Sequence, residues 1–180
     1  MEDILTLEKL IVTHSSPTLA NIKCSSLFCT KLLDSFSTSC VENLKKKGIS
    51  LLFLTNRRGC PLLFVYREKE LLETINEEKA KSFLTYYGYD TTNLESFLIH
   101  FKKRMRNEDF PHEIGVILGY PIDDVLSFIE NKGKNSIYSG YWKVYHNKNR
   151  ALKEFEKFDK CRKEYITLFN NGNKVEDLCV

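Results

Sequence analysis

The sequence lacks the features that would place it in a membrane or mark it for export. No apolar run approaches the roughly 20 residues of a transmembrane helix. The chain opens with acidic residues rather than the basic n-region of a signal peptide. Its net charge of +3 is mild and demands no polyanionic partner. We therefore expect a soluble, cytoplasmic protein without a membrane partner.

The common catalytic and nucleotide-binding signatures are also missing. There is no Walker loop, no Rossmann glycine fingerprint and no legible set of nucleophile, base and acid. The run H-E-I-G at His112 lacks the second His of the H-E-x-x-H zinc signature. The sequence therefore predicts no metal site, identifies no cofactor and assigns no reaction.

Cysteine is present, but not in a pattern that binds metal. None of the six cysteines belongs to a C-x-x-C pair. An even number is compatible with disulfides, yet a chain of 180 residues without an export signal does not need them. We expect free, mostly buried thiols, and a metal or cluster site is the less favoured alternative.

No repeat, low-complexity block or linker interrupts the chain. A length of 180 residues with 42% hydrophobic residues is enough for one real core. We expect a single domain over residues 1–172. Asn170-Asn171-Gly172-Asn173 should end the last helix and leave a flexible tail at 173–180.

Two apolar runs are the clearest strands. Ile49–Thr55 and Pro61–Tyr66 flank Asn56-Arg57-Arg58-Gly59, which is typical of a hairpin turn. The aromatic run Tyr138–His146 predicts a third strand. Because a hairpin makes its strands antiparallel, the fold class expected is α+β: a small, mostly antiparallel sheet covered by several helices.

Helical periodicity accounts for most of the remaining chain. An amphipathic helix at 2–13 should be broken by His14-Ser15-Ser16-Pro17, with Ser16 capping a short turn. Further helical segments should end at Gly48, cover Glu68–Tyr87 with a bend near Asn76, and span about 148–170.

The stretch from Phe110 to Gly133 carries the densest signals. Its prolines and glycines predict short helices at 111–118 and 121–131, joined by Gly119-Tyr120-Pro121. The pair resembles a helix-turn-helix. Asp123 and Asp124 would then face the major groove and repel phosphate, which disfavours nucleic acid as a partner and favours a scaffold role.

Four motifs in one order carry a family resemblance. They are H-S-S-P-T-L-A-N-I-K at 14–23, L-L-F-V-Y-R at 62–67, F-P-H-E-I-G-V-I-L-G-Y-P-I-D-D-V at 110–125 and G-Y-W-K-V-Y at 140–145. Over nearly the whole chain the sequence resembles an uncharacterised bacterial family, domain of unknown function 3793. In members of that family the position of Ser15 is often Cys, so a thiol role there does not transfer. The resemblance implies no activity, only a link to redox or iron physiology, because relatives lie near genes for flavodoxin-like proteins.

The polar residues within these motifs are mostly cations and hydroxyls. Because they occur at element ends, where loops form sites, we expect several to converge on a pocket for a small anionic metabolite or cofactor. The predicted ligand-binding residues are His14, Lys23, Tyr66, Arg67, Lys143 and Tyr145. In an enzyme, the catalytic residues would be His112 as acid/base with Glu113 beside it, and Arg67 or Lys23 would clamp the anion.

Other functions stay open at this stage. A helix-turn-helix-like regulator could use the corner together with the basic turns at 102–106. A protein-interaction adaptor for a redox partner could use the aromatic residues, which make up 12% of the chain. At single positions, His112 could form a structural hydrogen bond, Glu113 could cap a helix and Arg67 could pair with a glutamate.

Overall fold

The computed structural model describes residues 6–32, 38–56, 58–107 and 111–180. Within these ranges lie eight α-helices, five strands and one 3-10 helix. The helices are α1 Leu7–Leu19, α2 Thr38–Lys46, α3 Glu68–Asn76, α4 Glu78–Tyr86, α5 Leu94–Met105, α6 Ile114–Ile117, α7 Ile122–Glu130 and α8 Lys148–Asn170. The strands are β1 Ser25–Cys29, β2 Ile49–Thr55, β3 Pro61–Arg67, β4 Tyr138–Ser139 and β5 Lys143–Val144, and the 3-10 helix is Val175–Leu178. None of the described helices is long and apolar enough to cross a membrane.

The main sheet has three antiparallel strands in the order β1-β3-β2. Strands β2 and β3 form the expected hairpin, and Gly59 in its turn has a φ of +72°, which a residue with a Cβ rarely adopts. A small antiparallel sheet with many helices confirms the predicted α+β class.

The central strand β3 is buried on both faces. Leu62, Phe64 and Tyr66 pack into a cluster with α3 to α7, whereas Leu63 and Val65 pack into a second cluster with α1, α2 and the 3-10 helix. Successive side chains of a strand point to opposite faces, so this continuous apolar run serves two cores at once.

The third strand of the sheet is β1, not the run at Tyr138–His146. That run folds into a separate hairpin, in which Tyr138 pairs with Val144. Gly140 at its turn lies against Phe155, and a Cβ there would come within 2.3 Å of the ring. The hairpin therefore packs on α8 and does not extend the main sheet.

Helix α1 runs through the predicted break to Leu19. Pro17 lies in its last turn, where the missing N–H removes one hydrogen bond and the helix ends two residues later. The Ser16 hydroxyl donates to the Val12 carbonyl and does not cap a new turn. Residues 2–5 of the predicted helix lie outside the described residues.

The expectation of free thiols is wrong for two cysteines. Cys29 and Cys60 form a disulfide, while Cys24, Cys40, Cys161 and Cys179 are free and buried. Cys29 ends β1 opposite Leu62, so the antiparallel register brings Cys60 close to it. The cytoplasmic location stays a prediction.

The last residues pack against the core rather than extending as the predicted flexible tail. Val175, Leu178 and Cys179 are buried in the cluster that holds Leu63 and Val65. The backbone N–H of Val180 also donates to the Leu19 carbonyl, at 3.2 Å. Apolar side chains spaced three and four residues apart give this segment a buried face.

Candidate functional site

A cavity of about 400 Å³ lies between the α6–α7 corner and the β4–β5 hairpin. Its lining is mainly apolar and includes Leu27, Leu118, Val125 and Phe128. The polar side chains in the lining are His112, Asp124, Ser139, Tyr120, Tyr141 and Lys143. Ligand sites in proteins have this size and this mixture of apolar walls with a few polar groups. We call it the apolar cavity.

Three aromatic residues form one wall of the apolar cavity: Tyr120, Tyr141 and Trp142. The Tyr120 and Trp142 rings stack with centroids 5.2 Å apart. Trp142 also packs edge-to-face on Phe155 of α8, at 4.5 Å. Such pairs stabilise the arrangement of the rings beyond their area burial.

Asp124 joins helix α7 to the β4–β5 hairpin. It is 3% exposed, and its Oδ2 accepts from Trp142 Nε1 at 2.9 Å. Its Oδ1 accepts from the backbone N–H groups of Tyr145 and His146, each at 2.8 Å. Three hydrogen bonds to one buried carboxylate fix Trp142 and the backbone that follows the hairpin.

A second cavity, of about 180 Å³, lies beside the first. Its charged lining consists of His14, Lys23 and Arg162, and none of the described residues lining it is acidic. It shares the side chains of Leu27, Leu118, Tyr120 and Tyr141 with the apolar cavity. We call it the basic cavity.

Burial shapes the charge of the basic cavity. It lowers the pKa of Lys23 to about 8, partly opposed by the neighbouring Cys24 thiol. It also lowers the pKa of His14, with help from the positive charge of Arg162. The Arg162 guanidinium is half-exposed and donates to Asp159 Oδ1 at 3.1 Å. The cavity thus holds basic groups whose charged forms an incoming anion would stabilise.

Residues 11–179 match the model of a family described as Protein of unknown function (DUF3793). The chain belongs to this family. Neither the comparison with curated proteins nor the comparison with solved structures found a match.

Four of the predicted site residues of this DUF3793 chain line the two cavities. His112 and Lys143 line the apolar cavity, and His14 and Lys23 line the basic cavity. The His112 ring lies 5.3 Å from the Phe128 ring, and Lys143 Nζ donates to the Gly133 carbonyl at 2.5 Å.

Glu113 lies in a buried ion pair rather than in a cavity lining. Its side chain is fully buried, and Oε1 accepts from Arg104 Nε at 2.6 Å and from the Tyr89 hydroxyl at 3.3 Å. The carboxylate raises the pKa of both partners, with burial the larger cause for Tyr89. Its contacts are those of a structural group.

The predicted pair Tyr66 and Arg67 belongs to the interior of the DUF3793 fold. Tyr66 is 6% exposed and packs on Phe64, and burial raises the pKa of its hydroxyl. Arg67 donates to the backbone carbonyls of Thr18, Leu19 and Val180 at 2.6 to 2.7 Å. Its planar fork therefore joins three chain segments and is not presented to a ligand.

Tyr145 contributes through its backbone. Its N–H donates to Asp124, whereas its hydroxyl is buried without a hydrogen-bond partner among the described residues. The Ser15 hydroxyl is in the same situation. In the described part of the chain, no group of three or more His, Cys, Asp or Glu could hold a metal ion.

The two aspartates at the start of α7 in the α6–α7 corner make contacts within the fold. Asp124, near the start of α7, is buried under the hairpin. The Asp123 carboxylate accepts a hydrogen bond from Lys79 Nζ, at 3.1 Å. The corner also supplies one side of the apolar cavity.

Sequence reasoning missed several residues of the site, chiefly Tyr120, Asp124, Tyr141, Trp142 and Arg162. Asp124 has the same sequence signal as Asp123, since both are acidic residues in a first helical turn. Arg162 is one of many cations on α8. The one sequence signal that could have indicated Tyr120, Tyr141 and Trp142 is that they are aromatic residues within the motifs that carry the family resemblance.

Proposed function

We propose that this protein binds a small amphipathic anion, with its apolar or aromatic body in the apolar cavity and its anionic group in the basic cavity. The observation that carries the proposal is the shared wall. Leu27, Leu118, Tyr120 and Tyr141 line both cavities, so one molecule can contact both.

The apolar cavity supports the body of such a ligand. At about 400 Å³ it has room for a ring system or a short chain. Tyr120 and Trp142 are already stacked on each other and offer a flat surface, and apolar contact with such rings is favourable.

The basic cavity supports the anionic group. Burial lowers the pKa values of Lys23 and His14, which means that loss of hydration outweighs the contacts that stabilise their charged forms. A carboxylate, sulfonate or phosphate placed beside them would supply that stabilisation.

A catalytic role would fall to His112, the predicted acid/base that lines the apolar cavity. Glu113 and Arg67 do not enter this proposal, because both are held by contacts within the fold. The reaction, if there is one, would occur on the ligand body near His112.

Trp142 provides the measurement, because it is the only tryptophan in the chain and lines the apolar cavity. Energy transfer from Trp142 can report binding of anilinonaphthalene sulfonate and of N-phenylnaphthylamine, which has the same ring body without the anion. We expect the sulfonate to bind the more tightly. Lys23→Gln or Arg162→Gln should weaken sulfonate binding by about three- to tenfold and leave the neutral probe unchanged.

Lys163→Gln is the matched control, because Lys163 is exposed and adjacent to Arg162 on α8. It should change neither affinity. Near-ultraviolet circular dichroism should show that each variant keeps native packing. Equal affinities for the two probes, or equal effects of Arg162→Gln and Lys163→Gln, would contradict the proposal.

A further inference from the structure

Lys23 occupies a position between two cavities. It lines the basic cavity and also a polar cavity of about 290 Å³ whose lining includes Glu77, Arg150 and Lys157. Its Nζ lies 5.0 Å from the centre of the Tyr120 ring, and its backbone N–H donates to the Pro17 carbonyl at 3.0 Å. The backbone of Lys23 is thus held by a hydrogen bond, its amine lies over the Tyr120 ring, and the residue lines two cavities.

No ion pair joins Lys23 to an acidic residue in the described part of the chain. Burial lowers the pKa of its amine to about 8. At neutral pH this amine is therefore uncharged more often than the amine of an exposed lysine. An uncharged amine in a cavity is the form that attacks carbonyl carbon.

We propose that Lys23 forms a Schiff base with a small molecule that carries both a carbonyl group and an anionic group, such as a 2-oxo acid. The Nζ lone pair attacks the carbonyl carbon, the carbinolamine loses water, and a C=N bond replaces C=O. No electrons are transferred and no further reactant is needed. This inference rests on the proposed function, because His14 and Arg162 in the basic cavity would hold the anionic group.

Two other lysines near the site show why Lys23 is singled out. Lys143 lines the apolar cavity, but its Nζ donates to the Gly133 carbonyl and the residue is exposed. Lys157 lines the polar cavity beside Lys23 and is also exposed. Lys23 alone among these three is half-buried and lines the basic cavity.

Reductive trapping tests the inference on the full chain. The protein is incubated with glyoxylate, which carries an aldehyde and a carboxylate, in the presence of cyanoborohydride, and adducts are mapped by peptide mass spectrometry. We expect Lys23 to be modified at least about tenfold faster than Lys157, because its amine is less protonated. Lys23→Arg should abolish the dominant adduct, and Lys157→Arg should retain it.

Acetaldehyde is the matched reagent without the anion. With acetaldehyde, the ratio of the modification rate of Lys23 to that of Lys157 should be smaller than with glyoxylate. Adducts spread evenly over the lysines, or equal selectivity with the two aldehydes, would overturn the inference. Binding of anilinonaphthalene sulfonate by the wild-type chain reports on the proposed function separately. If the wild type binds the sulfonate probe but forms no selective adduct at Lys23, the Schiff base alone is overturned.

Discussion

Arg67 and Glu113 are charged side chains whose charge is used within the fold. Arg67 makes three hydrogen bonds to carbonyls of two distant segments, and Glu113 accepts two hydrogen bonds with no exposed surface. A buried charge needs such partners, because an unpaired one costs several kcal/mol. Both residues therefore contribute to stability rather than to a ligand site.

Glu113→Gln should destabilise the protein by about 1–3 kcal/mol, because the amide removes the charge that pairs with Arg104 inside the fold. Urea unfolding measures the change. Glu73→Gln is the control: Glu73 forms an exposed pair with Lys69 and should change stability by less than about 0.5 kcal/mol. Equal effects of the two changes would show that the buried pair is not specially stabilising.

Lys23 should make stability depend on pH in the alkaline range. Its pKa is about 8 in the folded chain against an ordinary 10.5, so between these values the unfolded chain binds more protons than the folded one. Lys23 therefore lowers the free energy of unfolding below pH 8, and this destabilisation becomes smaller as the pH rises to 10.5. The stability advantage of Lys23→Met over the wild type should be largest near neutrality and shrink over this range in urea unfolding. A constant difference would contradict the assigned burial of the amine.

Eight site residues were predicted from their residue types and their places in the motifs, and four of the eight line a cavity in the structure. His14, Lys23, His112 and Lys143 line the two cavities. Sequence patterns could not separate these four residues from Arg67, since a cation at a strand end can face either a ligand or a carbonyl. Which one it faces depends on how distant segments pack.

At the scale of elements, the β4–β5 hairpin is held mainly by its contacts with α7 and α8. The hairpin pairs only two residues on each strand, which is marginal on its own. Trp142 and Val144 are buried against Ala151, Phe155 and Phe158 of α8, and Asp124 of α7 accepts three of its hydrogen bonds. The position of Trp142 in the aromatic wall therefore depends both on packing against α8 and on the Asp124 carboxylate.

Asp124→Asn should destabilise the protein by about 2–3 kcal/mol, because the new amide group must face either the Trp142 N–H or two backbone N–H groups, donor against donor. Trp142 emission should shift to longer wavelength as the indole becomes wetter. Asp123→Asn next to it is the control, since Asp123 forms only an exposed pair with Lys79. An unchanged Trp142 spectrum in Asp124→Asn would refute the role of this carboxylate.

Elements with strong local patterns were predictable, and those that depend on distant partners were not. Helix α8 was expected at about 148–170 and spans Lys148–Asn170, and the β2–β3 hairpin was expected within one residue. Strand β1 was missed, because a five-residue segment that begins with two serines has little β signal of its own. Its Ser25 hydroxyl is satisfied by the Ile117 carbonyl, at 2.7 Å and 92 residues away along the chain.

At the scale of the whole molecule, three of the four motifs that carry the family resemblance meet at one place. The segments 14–23, 110–125 and 140–145 line the two cavities, while 62–67 forms the central strand behind them. No local pattern predicts this convergence, because α1, the α6–α7 corner and the hairpin pack into three different clusters and come together only through the tertiary fold. It is the observation that makes a single two-part site the favoured interpretation.

The most direct test of the two-part site is a competition between probes for its parts. N-phenylnaphthylamine should occupy the apolar cavity, inorganic sulfate the basic cavity, and anilinonaphthalene sulfonate both. We predict one sulfonate probe per chain, displaced by either of the other two, while sulfate and the neutral probe bind together. If sulfate leaves binding of the sulfonate probe unchanged, or if the two aromatic probes bind at the same time, the cavities do not form one site.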